Sequence, residues 1–266
     1  MVFDITSTDS AYGFFNSFLG YAGSEWIDKV ILECDDDIDV FVEQHSKEIA
    51  LKDINSMRFA AFHITTSNDD CAEIKTFGIR SLRDVLSFDS DLNRFLKGKD
   101  LHFNLVENTL LFMGETYDVD YSHCKDFTRN NLLPKIAHRL CYDPQVNGFF
   151  CCVKPLDYST NHRYPEILVK IYDSFPSLSG IGNEWANERT PYKITFVVDF
   201  DKIAWYTFYD KIDDYYADSK TRLELKKQLI RLSYGRMRDD SFSDQFIYLS
   251  ENNFIEPNEI IEYTSL

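Results

Sequence analysis

The chain has 266 residues and a formal net charge of −16, with 28 Lys and Arg against 44 Asp and Glu. This length fits one large domain or a domain with an added lobe, and a hydrophobic fraction of 44% provides for a sizeable core. The negative charge argues against a free surface for duplex nucleic acid, because phosphate contacts need clustered Lys and Arg.

The six cysteines predict neither a disulfide framework nor a zinc site, since Cys151 and Cys152 are adjacent and no CxxC spacing occurs. We therefore expect reduced core thiols and no bound metal. No basic and then apolar leader opens the chain, and no apolar run approaches the ~20 residues that span a bilayer. These features predict a cytoplasmic protein without a membrane partner.

The first predicted segment, residues 1–57, is a mainly helical accessory segment. Its aromatic and aliphatic side chains recur largely at helical spacing, whereas the alternation of Ile38, Val40 and Val42 predicts a short strand. The acidic run at residues 33–37 predicts a solvated turn.

Strands and helices are predicted to alternate over the remainder of the chain, as expected for an α+β protein. Turn residues at 147–148 and a loop at 177–187 separate some of them. We predict strands at residues 58–66, 101–112, 115–119, 149–153, 192–200, 203–208 and 246–249, and helices at 71–77, 132–142, 164–175 and 219–232.

The predicted strand that ends His63-Ile64-Thr65-Thr66 carries the first candidate functional residues. A capped helix follows it and closes at Ile74-Lys75-Thr76-Phe77-Gly78-Ile79. This pattern resembles the opening of the ADP-ribosyltransferase fold, which includes DarT-like toxins and the poly-ADP-ribose polymerases. In that family a strand ends in His-x-Thr or His-x-Ser, and the histidine binds the NAD ribose next to nicotinamide. His63 matches the histidine, and Thr65 matches the hydroxyl residue after it.

A second patch, Gly148-Phe149-Phe150, resembles the family's strand with a glycine and two aromatic residues. In the family, a tyrosine after this strand stacks on nicotinamide. Tyr158 and Tyr164 both match that position, and the sequence does not separate them. The resemblance thus implies NAD contacts from Gly148 and Phe149 and from one of these tyrosines.

The third patch, Ser243-Asp244-Gln245-Phe246-Ile247-Tyr248, resembles the late strand that begins with the family's catalytic glutamate. This sequence departs from the family pattern, because Gln245 stands at the glutamate position. A glutamine can hydrogen-bond a ribose hydroxyl, but it has no charge to stabilise a developing cation. Asp244 and Glu251 are nearby carboxylates that could substitute for it.

The resemblance implies a domain over residues 58–266, with an insertion at about 90–145. Its implied fold is a split, strongly bent pair of small antiparallel sheets with surrounding helices. Its implied activity is NAD-dependent transfer of ADP-ribose to a macromolecular acceptor, either protein or nucleic acid. DarT-like relatives imply a toxin or phage-defence effector with an antitoxin or other regulatory partner. Two alternatives stay open, a catalytically inactive binding protein of this fold and an acidic interaction or inhibitor protein.

One basic stretch, residues 211–238, interrupts the acidic chain. It predicts either contacts with nucleic acid or the NAD phosphates, or a solvated helix face. The neighbouring pairs His123 with Cys124 and His138 with Cys141 are compatible with a Cys–His nucleophile, although we expect structural residues there.

Overall fold

The computed structural model describes residues 1–126, 128–142, 145–157, 162–239 and 242–266. Within them the chain folds as a mixture of helices and strands, which confirms the predicted α+β class. The particular split-sheet arrangement implied by the resemblance stays a prediction. In the described part of the chain, no helix is both long and apolar enough to cross a membrane.

The strands build two sheets. Their bounds, in chain order, are β1 (Val2–Phe3), β2 (Arg58–Ser67), β3 (Leu101–Asn104), β4 (Thr109–Phe112), β5 (Glu115–Asp118), β6 (Asn147–Cys151), β7 (Thr190–Asp199), β8 (Gln245–Tyr248) and β9 (Ile260–Ser265). The main sheet has the order β8-β6-β2-β7-β9, with β1 paired in parallel to β2. The second sheet has the order β3-β4-β5 and is antiparallel throughout.

The α-helices are interspersed with these strands along the chain and are mostly short. Their bounds are α1 (Thr8–Leu19), α2 (Ile38–Gln44), α3 (Ser46–Ala50), α4 (Ala72–Phe77), α5 (Leu82–Ser87), α6 (Asp91–Lys97), α7 (Pro134–Tyr142), α8 (Glu166–Ser174), α9 (Ile181–Asn187), α10 (Ile212–Asp218) and α11 (Leu223–Arg238). A π-helical turn at Ile27–Leu32 precedes α2.

The chain divides into two compact units. The first contains Met1–His63, Asn147–Lys154 and Thr195–Ser250, and the second contains the remaining residues. Strands β2 and β7 contribute residues to both units. The N-terminal segment is mainly helical, as predicted, and it also supplies β1. The domain limit predicted at residue 58 stays a prediction.

Each unit has its own apolar core. In the first unit, the ring of Phe3 packs edge-on against Phe14 and Phe150, at centroid distances of 4.9 and 5.5 Å. This aromatic core accounts for much of the chain's 22 Phe, since burying such rings is among the largest apolar contributions to stability. In the second unit, aliphatic residues of α6–α9 pack with those of β3 and β4 around Trp185.

The strand predicted at Ile38–Val42 is wrong, because these residues form α2. The side chain of Asp37 accepts hydrogen bonds from the backbone amides of Asp39 and Val40. This N-cap satisfies amides at the start of the helix and outweighs the β preference of the alternating branched residues. The last residue of the acidic run therefore serves as a helix cap.

Two further sequence predictions are wrong. Residues 177–187 were predicted as a loop, but α9 forms there because Ile181 and Trp185, one helical turn apart, are both buried. Residues 203–208 were predicted as a strand, but they make only one bridge, from Ile203 to Leu249, before a 3₁₀ turn at Trp205–Thr207.

Candidate functional site

His63 lies near the middle of β2 and is half-buried. Its Nδ1 lies 2.8 Å from the backbone carbonyl oxygen of Asn147. Because a carbonyl only accepts, Nδ1 must carry the proton, and Nε2 is left as the acceptor of the ring. Burial lowers the pKa of His63 below its ordinary value, although the bond to Asn147 opposes that shift. The ring is therefore a neutral imidazole near pH 7.

Gly148 stands on β6, where this strand approaches β2 most closely. A Cβ at this position would lie 2.6 Å from the carbonyl oxygen of Phe62 and 3.3 Å from the ring of Phe196. These distances leave no room for any side chain. The residues at 147–148 therefore begin β6 and do not form the predicted turn.

Phe149, which the resemblance implies as an NAD contact, is only 8% exposed. Its ring stacks on Phe62 at 5.5 Å and packs against Phe246 at 5.2 Å. Phe150 is buried among Phe3, Phe59 and Phe208. Both rings thus contribute to packing of the first unit, and that packing holds β6 in place beside β2.

Gln245 is the first residue of β8 and is half-buried. Its Nε2 donates to the carbonyl oxygen of Ser243 at 3.2 Å and to the Ser243 hydroxyl at 3.1 Å. Its amide nitrogen is therefore occupied, and its carbonyl oxygen is oriented away from those bonds. Beside it, burial and the carboxylate of Asp244 raise the pKa of the Cys152 thiol to about 12.

The other residues implied by the resemblance belong to the second unit or lie outside the described residues. Tyr164 is half-buried against the core of the second unit, and its ring would be 3.1 Å from a Cβ on Gly182. Thr65 is half-buried on β2, whereas its neighbour Thr66 accepts a hydrogen bond from Trp185 Nε1 at 2.8 Å. Tyr158 lies outside the described residues, so the choice between the tyrosines stays open.

The structure brings three of the predicted positions onto neighbouring strands of the main sheet. β2 carries His63, β6 pairs with β2 at Phe62↔Phe149, and β6 pairs with β8 at Cys151↔Gln245. From these registers and Gly148↔Ile247, His63 and Gln245 stand two strands apart and about two residues out of register, which is about 7 Å along the strand direction.

Sequence reasoning missed Asn147, whose backbone carbonyl sets the tautomer of His63. The two residues are 84 positions apart, and only the pairing of β2 with β6 brings them together. A carbonyl group leaves no side-chain signature in the sequence. The one available signal was the neighbouring glycine, which suggested a turn as readily as a close strand contact.

Four cations of the basic stretch on α11 bind other groups of the first unit. Lys226 donates to the carbonyl of Ala50 at 2.8 Å, and Lys227 pairs with Glu43 at 2.7 Å. Both lysines are buried. Further along the helix, two arginines pair with acidic residues of the N-terminal segment: Arg231 with Asp39 and Arg238 with Asp36. These cations thus fasten α11 to that segment.

Comparison with known proteins adds no assignment to this geometry. No family model matches the sequence, and neither curated proteins nor solved structures give a match. In the part of the chain that the structure describes, no group of three or more His, Cys, Asp or Glu side chains is arranged to hold a metal ion.

Proposed function

We propose that this chain binds NAD along the strands that carry His63, Gly148 and Gln245, and transfers ADP-ribose from it to a macromolecular acceptor. The observation that carries the proposal is the adjacency of β2, β6 and β8 in one sheet. The resemblance selected these strands from three short sequence patches, without reference to which strands pair. Three patches far apart in the chain thus lie on neighbouring strands, as a common binding site requires.

The state of His63 suits the role that the resemblance implies. A neutral imidazole with a protonated Nδ1 presents Nε2 as an acceptor for a ribose hydroxyl. A charged imidazolium would have no acceptor, and it would also repel the cation that develops on the ribose. The bond to Asn147 fixes the orientation of the ring, which is a positioning effect on the bound sugar.

In the proposed reaction, a nucleophile of the acceptor attacks C1′ of the ribose next to nicotinamide. The bond between C1′ and the nicotinamide nitrogen breaks, and its electron pair leaves with neutral nicotinamide. The proton of the nucleophile passes to water or to a base of the acceptor. Gln245 would hold a ribose hydroxyl through its carbonyl oxygen, but it supplies no negative charge to the oxocarbenium-like transition state.

That missing charge favours a second candidate, a binding protein that holds NAD or ADP-ribose without rapid turnover. The amide of Gln245 is fixed by Ser243, so the side chain is ordered for binding even where it is poor for catalysis. Both candidates use the same residues, and they differ in whether nicotinamide is released.

The deciding experiment measures NAD binding by calorimetry and nicotinamide release by chromatography for the wild-type protein, His63→Ala and His102→Ala. His102 is the control, because its side chain is 44% exposed and, among the described residues, pairs with Asp100 alone. We expect saturable NAD binding by the wild type and His102→Ala and its loss in folded His63→Ala.

Nicotinamide release supports the transferase, and binding without release supports the binding protein. If the folded wild-type protein shows no saturable binding at millimolar NAD, both candidates are wrong.

A further inference from the structure

A cavity of about 650 Å³ lies within the first unit, where the chain leaves β7. Its volume is in the range of pockets that hold small organic ligands. Its walls are rich in aromatic side chains, notably Phe200, Trp205 and Tyr215. Neither His63 nor Gln245 lines it, so the cavity is separate from the proposed NAD site.

Arg222 supplies the cationic group of this cavity. Its guanidinium lies over the ring of Tyr215 at 4.7 Å and over that of Phe200 at 5.5 Å. Its Nη2 donates to the Tyr215 hydroxyl at 3.3 Å, but its Nη1 is buried and has no hydrogen-bond partner. A buried donor without a partner is costly, and the cost is larger for a charged group.

Within the described residues, no acidic side chain forms an ion pair with Arg222. Asp218, one helical turn before Arg222, is already occupied by the Tyr209 hydroxyl, the Thr221 hydroxyl and the Leu225 amide. Asp218 therefore caps the start of α11, and the Arg222 guanidinium is left without a carboxylate partner among the described residues.

The backbone of Arg222 also marks this position as a constrained one. Its φ of 49° and ψ of 28° lie in the left-handed region, which costs a residue with a side chain roughly 1 kcal/mol or more. That conformation places the side chain between the two rings directly before α11 begins. A position held at such a cost is a candidate for a functional role.

The charge of the remaining wall limits the ligand. Asp199 and Asp201 both line the cavity, and Arg58 pairs with Asp199 at 3.3 Å. Asp201 has neither a hydrogen bond nor an ion pair from its side chain within the described residues. A ligand with two or more negative charges would be repelled by this carboxylate, whereas one negative charge suffices to pair with Arg222.

We propose that this cavity binds a small aromatic carboxylate, whose single anionic group pairs with the Arg222 guanidinium and whose flat ring packs on the aromatic walls. The ring would gain offset or edge-on contacts with Trp205 and Phe200. The proposal is independent of the NAD site, since it uses none of the same residues.

The test compares indole-3-acetate, neutral indole and adenosine monophosphate as probes by calorimetry on the wild-type protein and two variants. Arg222→Gln removes the cation, and Arg231→Gln is the matched control on α11, outside the cavity. Circular dichroism and thermal melting establish that each variant is folded.

We expect the wild type to bind indole-3-acetate more tightly than indole or adenosine monophosphate. Arg222→Gln should lower the affinity for indole-3-acetate roughly tenfold or more, as the loss of a charge-assisted hydrogen bond does, and leave the affinity for indole unchanged. Arg231→Gln should leave the affinities for all three probes unchanged.

Several results would overturn the proposal: no saturable binding of indole-3-acetate by the folded wild type at millimolar concentration, equal binding of indole, or equal weakening in both variants. Tighter binding of adenosine monophosphate would overturn the preference for a single charge. If Arg222→Gln does not fold, the relative affinities of the wild-type protein for the three probes still test the proposal.

Discussion

The imidazole of His63 and the backbone carbonyl of Asn147 are joined by a hydrogen bond of 2.8 Å across β2 and β6. This one contact connects the fold to the proposed chemistry. The pairing of the strands determines which carbonyl faces the ring, and the carbonyl determines which ring nitrogen carries the proton. Protonating Nε2 would place a positive charge on this half-buried ring. The pKa of His63 is shifted by burial and by the backbone bond to Asn147, and no carboxylate contributes to that shift.

The first prediction concerns stability between pH 7 and pH 5. Because burial depresses the pKa of His63 below its ordinary value of 6.5, the unfolded chain binds a proton first as the pH falls. The contribution of His63 to stability is thus fully present above pH 6.5 and is lost below it, by up to about 1.4 kcal/mol per pH unit.

His63→Gln should therefore flatten the dependence of the free energy of unfolding on pH in this window. Urea titrations at several pH values measure it, with His102→Gln as the control substitution at an exposed histidine. A His63→Gln profile as steep as that of the wild type would contradict the assigned neutral state.

The second prediction concerns Gly148. Gly148→Ala forces a Cβ to within 2.6 Å of the Phe62 carbonyl, so β6 must move away from β2. We expect a loss of about 1–3 kcal/mol in the free energy of unfolding, as for other overpacked sites. Gly13→Ala is the matched control, since a Cβ there meets nothing within 4 Å in helix α1. It should stabilise the protein by about 0.5–1 kcal/mol. Equal effects of the two substitutions would contradict the close approach.

Local patterns in the sequence predicted most of the regular structure. The alternating run at 192–200 and the buried run at 58–66 correspond to β7 and β2, because each carries enough branched and aromatic residues for a strand. The failures lie where a distant or unusual contact decides. Asp37 caps a helix in a segment whose alternating residues favour a strand. Ile181 and Trp185 pack into the core of the second unit, and local composition does not predict that contact.

The candidate site was less accessible from the sequence than the fold. His63 and Gln245 were found through a resemblance, but Asn147 acts through its backbone. Arg222 appeared only as one cation in a basic stretch. Its importance lies in a missing partner and in the rings around it, and these depend on tertiary packing.

The third prediction separates structural cations from solvated ones in and before α11. The side chain of Lys227 is 5% exposed and pairs with Glu43 and Glu224, whereas Lys220 is exposed. Lys227→Ala should lower the free energy of unfolding by about 1–3 kcal/mol, because it removes hydrogen bonds to charged groups and a buried stem. Lys220→Ala should change it by less than about 0.5 kcal/mol. Chemical denaturation of both variants measures the difference. Similar losses of unfolding free energy would contradict the inference that Lys227 holds α11 to the N-terminal segment.

The last prediction rests on the proposed transfer reaction and concerns the missing carboxylate. Gln245→Glu replaces an amide by a carboxylate of nearly the same shape, so a negative charge would stand where the transition state develops positive charge. The new carboxylate can no longer donate to the Ser243 carbonyl, which frees it to turn toward a bound ribose. We expect nicotinamide release to rise by about 10²-fold or more, in line with single electrostatic groups in other active sites.

Asp244→Asn distinguishes this explanation from its rival, in which Asp244 already supplies the charge. The Asp244 carboxylate faces the Cys152 thiol, and we expect Asp244→Asn to retain the wild-type rate of nicotinamide release. A rate that is lost in Asp244→Asn and unchanged in Gln245→Glu would assign the carboxylate role to Asp244, and would limit Gln245 to holding the sugar.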